Sequence, residues 1–345
     1  MKRNKTEFVV LPAFHGDCIL IKTFDLDHNE FIILVDGGTA QTFKYSLKVE
    51  LKEITHINLL VLTHIDSDHI AGLIALFKNS LIDKIQIDEI WMNNPDLVEI
   101  NNGELISVRQ GDNLKNLILE KKPKTKLTQV SILDKTITRS GVDFNILSPT
   151  SDIVNELYER WESLRLLQNN KVNISSVTSS YSQSLEELNK IIFSPEKSIN
   201  ADIFNSSSIS FLLKCPDISL LLLADSRPEI IVQSLTDIGV NEKNPLIVDY
   251  VKVSHHGSLN NTSQELMNLI MSNNYLISTN GGTADHKLPS RETISRIVYN
   301  SNRNDERLNI FFNYSLSSLR EKIGDFINET DLEHGNWNAT SQNRF

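Results

Sequence analysis

The sequence predicts an α/β protein whose buried strands end in polar, metal-binding segments. Short apolar runs typical of strands alternate with stretches of helical spacing, and several of these runs stop at His or Asp residues. With 345 residues and 40% hydrophobic content, the chain can bury a sizeable core. We expect one large domain over residues 1–320, with an insertion at about 150–204, and a C-terminal tail over 321–345.

The first half of the chain reads as strands and helices in alternation. Aliphatic runs bounded by turn residues predict strands, and apolar residues three and four apart predict helices. On these rules the strands are 8–11, 18–23, 31–35, 57–62, 85–92 and 142–147, and the helices are 70–77 and 105–120. Asp36-Gly37-Gly38 marks a turn, and Ser148-Pro149 ends the last of these strands.

The predicted insertion has a different composition. A helix is expected over 153–167 and a short one over 185–192, separated by a polar stretch from 168 to 184. Because residues 173–184 have little to bury, we expect this part of the insertion or lid to be mobile. Strand-like runs then resume at 209–213 and 220–223.

The strongest chemical signal follows the apolar run 57–62. Four ligand-type side chains stand there within six residues: His64, Asp66, Asp68 and His69. A tight turn after a buried strand can aim alternate side chains at one point, and imidazole with carboxylate is a divalent-cation ligand set. The alternative is a solvated acidic turn, but such turns rarely keep this spacing beside a hydrophobic strand. Two adjoining ions would fit.

Three later strand-like runs end in the same way. Asp225 follows the run 220–223, His255-His256-Gly257 follows Val251-Lys-Val-Ser, and His286 comes after Tyr275 to Thr279. Each run therefore ends in a metal-type side chain. The remaining four histidines do not follow strand-like runs together with other ligand-type residues. His28 and His334 are expected at the surface, and His56 has no assigned role. His15 either lines the cleft or is structural.

Charge and cysteine content limit the function classes. A net charge of -10 argues against broad, non-specific nucleic-acid binding by the whole surface. Local attraction for an anion could come from Lys252 or from a lysine patch, although the patch is better read as a solvated loop: Lys121, Lys122, Lys124 and Lys126. Cys18 and Cys215 are best read as core residues rather than a disulfide. No apolar run is long enough to span a membrane, so we expect a cytoplasmic protein without a membrane partner.

Taken in order, these motifs resemble the metallo-β-lactamase superfamily, and most closely its branch with the nuclease domain of the DNA-uptake protein ComEC. The resemblance spans about residues 8–315 and rests on Gly16-Asp17, Asp36-Gly37-Gly38, His64-x-Asp66-x-Asp68-His69, Asp225, His255-His256-Gly257 and His286. It implies an αββα sandwich with a one- or two-metal site at one edge, between the sheets.

The chain departs from the common superfamily pattern at two positions. Asp66 stands where most members have a second histidine, and no histidine occurs between His69 and His255. The segment that matches the missing histidine is Asn205-Ser-Ser-Ser-Ile-Ser. Because carboxylate ligands make a site harder, we expect Mn²⁺, then Zn²⁺, with Mg²⁺ also compatible.

The resemblance also implies roles for individual residues. His64 and Asp66 would hold the first ion, Asp68 and His69 the second, and Asp225 would bridge them. His286 matches the final ligand histidine. Of His255 and His256, one would ligate and the other protonate the leaving oxygen, and either assignment is open. Asp36 either orients a ligand or only forms the turn with its two glycines.

The expected activity is hydrolysis of DNA or RNA phosphodiesters by a metal-activated hydroxide. One alternative keeps the fold and changes the substrate to a small ester, lactone or phosphodiester. Another is a regulatory subunit with a partial metal site, acting with a protein partner in a multi-subunit system such as antiphage defence. The sequence leaves the substrate, the oligomeric state and endo or exo action undetermined.

Overall fold

Two β-sheets carry the fold. The computed structural model describes residues 5–25, 27–95, 106–166, 182–282, 287–303 and 306–345. In this part of the chain, sheet A has the order β1-β2-β3-β4-β5-β6. Its strands are β1 (Glu7–Val10), β2 (Ile19–Phe24), β3 (Glu30–Val35), β4 (His56–Val61), β5 (Gln86–Trp91) and β6 (Lys126–Thr128). The first three strands are antiparallel, and β3 to β6 run parallel.

Sheet B is larger and has the order β16-β15-β14-β12-β10-β9-β8-β7. Its strands are β7 (Thr136–Arg139), β8 (Val142–Ser148), β9 (Ser210–Lys214), β10 (Ser219–Leu222), β12 (Tyr250–Lys252), β14 (Asn274–Ile277), β15 (Leu308–Phe312) and β16 (Trp337–Ser341). Strands β10, β12, β14, β15 and β16 run parallel, so their carboxyl ends share one edge. A separate pair joins β11 (Leu246–Ile247) to β13 (Ile270–Met271).

Helices cover the outer faces of both sheets. They are α1 (Ala40–Thr42), α2 (Lys48–Glu50), α3 (Ser67–Phe77), α4 (Ile106–Lys121), α5 (Ser151–Leu166), α6 (Leu185–Asn189), α7 (Ile203–Ser206), α8 (Pro228–Asp237), α9 (Gln264–Asn268), α10 (Arg291–Asn300), α11 (Leu316–Ile323) and α12 (Glu329–Glu333). A π-helical turn, Phe43–Leu47, joins the first two. Among these helices, none has the length and apolar character that crossing a membrane requires.

Three apolar cores define four layers. One core joins sheet A to α3, α4 and α5, and a second joins sheet B to α8, α9, α10 and α11. The third lies between the sheets, where the Trp91 ring of sheet A meets the rings of Phe144 and Phe211 of sheet B at 5.0 and 6.2 Å. The predicted α/β class is therefore confirmed, with the layering of an αββα sandwich.

The long predicted elements recur in the structure with small shifts. The strand predicted at 57–62 is β4, the helix predicted at 70–77 begins earlier, at Ser67, and the helix predicted at 105–120 is α4. Cys18 is buried and free, as expected of a core residue, and Cys215 is half-buried and free. The sequence analysis did not identify the short strands β6 and β7, because three or four residues give too little periodicity.

The predicted insertion is packed into the body of the protein at both of its ends. Trp161 of α5 is fully buried in the core of sheet A, and Leu185 and Leu188 of α6 lie in the core of sheet B. Residues 167–181, which contain most of the stretch expected to be mobile and lid-like, lie outside the described residues.

The last part of the chain differs from the tail expected over 321–345. Strand β16 pairs in parallel with β15, and Trp337 at its start is fully buried. The Trp337 indole donates to the Asp331 carbonyl at 2.8 Å, and Asp331 forms a two-point ion pair with buried Arg291. Burying a large aromatic ring in this way outweighs the polar composition that suggested a tail.

Two glycines allow α3 to sit directly against the turn that follows β3. The Gly37 amide donates to the His69 carbonyl at 2.8 Å, and the Gly72 amide donates to the Gly38 carbonyl at 2.9 Å. A Cβ on Gly72 would lie 1.8 Å from the Gly37 carbonyl oxygen, where no atom fits. The close approach fixes the first turn of α3, which carries Asp68 and His69.

We predict that Gly72→Ala lowers the free energy of unfolding by about 1–3 kcal/mol, the usual cost of overpacking a tight contact. Urea denaturation followed by circular dichroism measures it. Helix propensity alone would change the free energy of unfolding in the opposite direction, because replacing a helical glycine by alanine stabilises a helix by roughly 1 kcal/mol. A variant as stable as the parent protein, or more stable, would therefore contradict the contact.

Candidate metal centre

The ends of three strands bring the candidate ligands to one place. In sheet A, β4 ends at Val61; His64 and Asp66 lie in the turn after it, and Asp68 and His69 lie in the first turn of α3. In sheet B, the neighbouring parallel strands β10 and β12 lead directly to Asp225 and to His255-His256. Both sheets therefore contribute to one edge of the sandwich.

Four imidazoles converge on one carboxylate oxygen. Asp225 is 2% exposed. The distances from its Oδ2 to the four Nε2 atoms are 3.4 Å for His69, 3.6 Å for His256, 3.7 Å for His255 and 3.8 Å for His64. Asp66 and Asp68 complete the cluster, the first 3.8 Å from His64 Nε2 and the second 3.5 Å from His256 Nε2.

The other nitrogen of each of these rings is held by a hydrogen-bond acceptor. The acceptors are Thr63 Oγ1 for His64 (3.1 Å), Asp36 Oδ2 for His69 (2.8 Å), Asn261 Oδ1 for His255 (2.9 Å) and the Ser278 carbonyl for His256 (3.0 Å). Each acceptor places a proton on Nδ1, which leaves the Nε2 lone pair free. Acceptors behind metal-bound histidines commonly fix the tautomer in this way.

Within the described residues, several buried atoms of the cluster lack a hydrogen-bond partner. They are Nε2 of His64, His69 and His256, Oδ1 of Asp225 and Oδ1 of Asp17. Buried polar atoms are almost always satisfied, so atoms left without partners at one point call for an ion or water. Three groups have donor atoms within 4.8 Å of one another: His64-His69-Asp225, Asp68-His69-His256 and Asp17-Asp225-His256. The donor set fits a divalent cation.

The electrostatics of the cluster also favour a cation. Burial, helped by the neighbouring charge of Asp68, raises the pKa of Asp66 to about 7. Burial and the nearby His69 lower the pKa of His64 to about 3, which keeps that ring in its neutral, metal-binding form. Carboxylates crowded together out of water need a compensating positive charge.

The structure brings together seven of the sequence-predicted residues: His64, Asp66, Asp68, His69, Asp225, His255 and His256. The eighth, His286, lies outside the described residues. Asp36 does more than form a turn: its carboxylate accepts from the Thr63 amide and hydroxyl as well as from His69. It therefore orients a candidate ligand.

The paired histidines divide between the two sides of the cluster. His256 lies with Asp68 and His69, whereas His255 lines a pocket together with Asp66 and Asn205. Asn205 belongs to the segment that matches the missing middle histidine. His255 is thus the imidazole found beside this histidine-poor position, an arrangement that the sequence spacing did not suggest.

Lys252 has a different role from the one the sequence suggested. It is 1% exposed, and its ammonium donates to Asp17 Oδ2 and to the Val253 carbonyl. It therefore cannot attract an anion from solvent. Asp17 in turn lies with its Oδ1 3.4 Å from His256 Nδ1, so the buried pair stands directly behind a candidate ligand.

His15 lies near enough to the cluster for the charges of Asp68, His69 and His256 to act on its ring. Its ring is half-buried and makes no hydrogen bond within the described residues. Burial lowers its pKa, partly offset by the nearby charge of Asp68. Gly16 explains the placement, because a Cβ there would lie 1.8 Å from the Asp68 carbonyl oxygen. The sequence signal was the glycine next to this histidine, at the start of a strand.

Comparison with known proteins supports the fold and the motif assignment. The family model of the metallo-beta-lactamase superfamily matches residues 11–150. This segment contains strands β2 to β6 of sheet A, the His64 to His69 motif and strands β7 and β8 of sheet B. No curated protein matches the chain.

Solved structures with a similar fold are distant in sequence. The metallo-beta-lactamase fold protein YhfI from Bacillus subtilis is 9% identical, with 99% of each chain covered and a TM-score of 0.40. Zn²⁺-bound PqqB from Methylobacterium extorquens is 10% identical, with 98% of this chain and 99% of that chain covered and a TM-score of 0.46. A long form RNase Z from yeast is 13% identical, with 84% and 39% covered and a TM-score of 0.38. These likenesses carry no argument about activity. The family model therefore shows that residues 11–150 of this chain are similar to the metallo-beta-lactamase superfamily.

Proposed function

We propose that this protein is a metal-dependent hydrolase that cleaves phosphodiester bonds, most specifically a nuclease of the ComEC-like branch. The observation that carries the proposal is the convergence of four imidazole nitrogens on Asp225 Oδ2 at 3.4–3.8 Å, with every Nδ1 already hydrogen-bonded. This is the geometry of ligands held ready for cations rather than of a packed polar core.

The residues divide into two ligand groups that share Asp225. His64, Asp66 and His255 would hold one cation, and Asp68, His69 and His256 the other. Bound there, two divalent cations supply a water of lowered pKa and neutralise the charge of a phosphate. Mn²⁺ and Zn²⁺ are the expected ions. Carboxylate ligands suit a hard ion such as Mn²⁺, and imidazole ligands suit Zn²⁺.

Charge balance supports two cations rather than one. Five carboxylates surround the site: Asp17, Asp36, Asp66, Asp68 and Asp225. Lys252 is the buried ammonium paired with one of them. Four carboxylates then remain without a buried ammonium, and when all four are ionised they carry more negative charge than one divalent ion neutralises.

A phosphodiester suits this site better than a neutral ester. The cluster is rich in carboxylates, which favours hard cations and the oxygen ligands of a phosphate. The ordered motif set, with Asp66 in place of a second histidine, also resembles ComEC-like nucleases more than lactone-hydrolysing members. The small-ester alternative gains no specific observation from the structure.

His15 is the residue we assign to proton transfer. His255 and His256 both direct Nε2 at Asp225, so neither ring has a nitrogen free for the leaving group. The charge of nearby Asp68 favours the protonated His15 ring, against the burial that lowers its pKa, and in this protonated form the ring can present a proton to the leaving oxygen. This assignment differs from the one that the family resemblance implies, in which one of the paired histidines is the acid.

The first prediction concerns cation binding. Mn²⁺ or Zn²⁺ added to metal-free protein should raise the free energy of unfolding, by about 2.7 kcal/mol at a hundredfold excess over Kd. Asp225→Asn should remove most of this gain, because it weakens the ligand that both groups share. Thermal unfolding and metal analysis measure the effect.

The control for cation binding is Asp27→Asn, an exposed carboxylate whose loss should leave the gain intact. Fewer than one ion per chain, with stability unchanged by chelator, would contradict the site. That outcome would favour the regulatory-subunit alternative.

The second prediction concerns activity. With Mn²⁺ the protein should hydrolyse bis(p-nitrophenyl) phosphate and cleave labelled DNA or RNA, and Asp68→Ala should lower kcat by more than about 100-fold. Asp27→Asn should retain full activity. If DNA and RNA stay intact while Asp68→Ala abolishes hydrolysis of a lactone, the substrate class proposed here is wrong.

The third prediction separates proton donation from binding. His15→Asn should lower kcat on DNA or RNA by about 100-fold, the usual contribution of a general acid. It should change hydrolysis of bis(p-nitrophenyl) phosphate little, because nitrophenolate leaves without a proton. Metal content should not change. His28→Asn, at an exposed histidine with φ 65°, is the matched control, since asparagine tolerates that backbone. Equal losses on both substrates would exclude the acid role.

A further inference from the structure

A basic cleft lies at the end of sheet A opposite the candidate metal centre. Its volume is about 700 Å³. Part of its lining comes from the starts of β4 and β5, through His56 and Gln86. The rest comes from the 3₁₀ turn Ser80–Lys84 and from residues 121–125, which lead from the end of α4 to β6. Three separate segments of the chain therefore meet around it.

The charge of this lining has the opposite sign to that of the whole protein. Four of the described lining residues are lysines and one is an aspartate, so their formal charge is +4 − 1 = +3, in a chain whose net charge is -10. Lys84 joins the lysines at 121, 122 and 124, although the sequence places it in a different segment. Like charges gathered around one cleft repel one another and attract an anion.

The protein supplies little of the compensating negative charge. Of the four lysines, Lys121 alone has an ion pair among the described residues, at 3.7 Å from exposed Glu120. Lys121 also ends α4, where a cation stabilises the last carbonyls of a helix. Neither explanation extends to Lys84 and Lys124, which are exposed and lie outside that helix. Their ammonium groups are available to a ligand.

The lining favours a phosphate backbone over an acidic peptide. Lysine binds a phosphate as a point charge, and contacts of this kind hold a nucleic acid without reading its bases. None of the described lining residues is aromatic, so the cleft offers a base no ring to stack on. An acidic peptide would bring apolar side chains as well, but Ile85 and Ile87 of the lining are 0% and 4% exposed and give them no surface.

We propose that the basic cleft is a second binding site, which holds the sugar–phosphate backbone of a nucleic acid independently of its sequence. The site is separate from the metal centre and needs no hydrolysis there, so the inference goes beyond the proposed function. Binding releases the counterions of the phosphates and therefore weakens as salt rises. Non-specific backbone contacts of this kind typically give affinities of about micromolar.

Fluorescence anisotropy with labelled single-stranded DNA of mixed sequence tests the proposal on the full chain, with and without chelator. The chelator prevents cutting and removes cations as a competing contact. A triple variant removes three exposed charges of the cleft: Lys84→Gln, Lys121→Gln and Lys124→Gln. It should raise Kd at least about tenfold and lower the slope of log Kd against log salt by about two, since each phosphate contact contributes about 0.7.

The matched control removes three exposed lysines outside the cleft and so changes the net charge equally: Lys190→Gln, Lys214→Gln and Lys243→Gln. Its Kd should stay within about twofold of the parent value. Urea denaturation checks that both variants keep the parent stability. Equal weakening by the two triple variants, no weakening by the cleft variant, or no binding by the parent protein would overturn the proposal. Displacement of the DNA by poly-glutamate as readily as by unlabelled DNA would also overturn it, in favour of an acidic protein partner.

Failure of the proposed function gives a different result. A chain that hydrolyses nothing can still bind DNA through the cleft, because binding is measured with chelator present. Conversely, a parent protein that cuts DNA while both triple variants bind it as well as the parent would leave the proposed function standing and end this inference.

Discussion

The structure depends on one buried carboxylate, Asp225, which stands within 3.8 Å of four imidazole nitrogens. Such a cluster exists only if the strand ends of both sheets meet at one edge of the sandwich. Sheet B supplies Asp225 and the paired histidines, and sheet A supplies the motif that begins at His64. Close backbone contacts at Gly16 and Gly72 bring α3 near enough for this. The packing of both sheets and of α3 therefore determines the distances between Asp225 and the four imidazole nitrogens.

Behind the cluster, a second set of residues holds the rings in place. Asp36 connects His69 to Thr63, and Thr63 in turn accepts from His64, so two candidate ligands share one anchor. On the other side, the buried ion pair of Lys252 and Asp17 lies against His256. A buried pair contributes little net stability, because desolvation offsets its attraction. Its position behind His256 indicates that it orients this candidate ligand rather than stabilising the fold.

The sequence was enough to place most of the centre, because residues that follow buried parallel strands must meet at one sheet edge. It could not assign the paired histidines. Both have positive φ, 46° for His255 and 56° for His256, and this uncommon backbone turns both rings toward Asp225. Rules based on residue spacing assume that φ is negative, so they do not predict the orientation of these two rings. The burial of Lys252 and the docking of Trp337 were hidden for a related reason, since each is decided by a partner far along the chain.

The proposed substrate is an anion, so this acidic protein would need positive charge close to the reacting phosphate. The lysines at 121, 122 and 124 share a cleft with Thr55, Gln86 and Thr125, which stand at the starts of β4, β5 and β6. The candidate centre follows the other end of β4, so roughly 20 Å of strand separates the two. At physiological ionic strength this exceeds the screening length of about 8 Å. Lys126, the fourth member of the patch, is paired with Glu89. Under the proposed function, the patch would contact a distant part of a long substrate, and the positive charge at the scissile bond would come from cations held around Asp225.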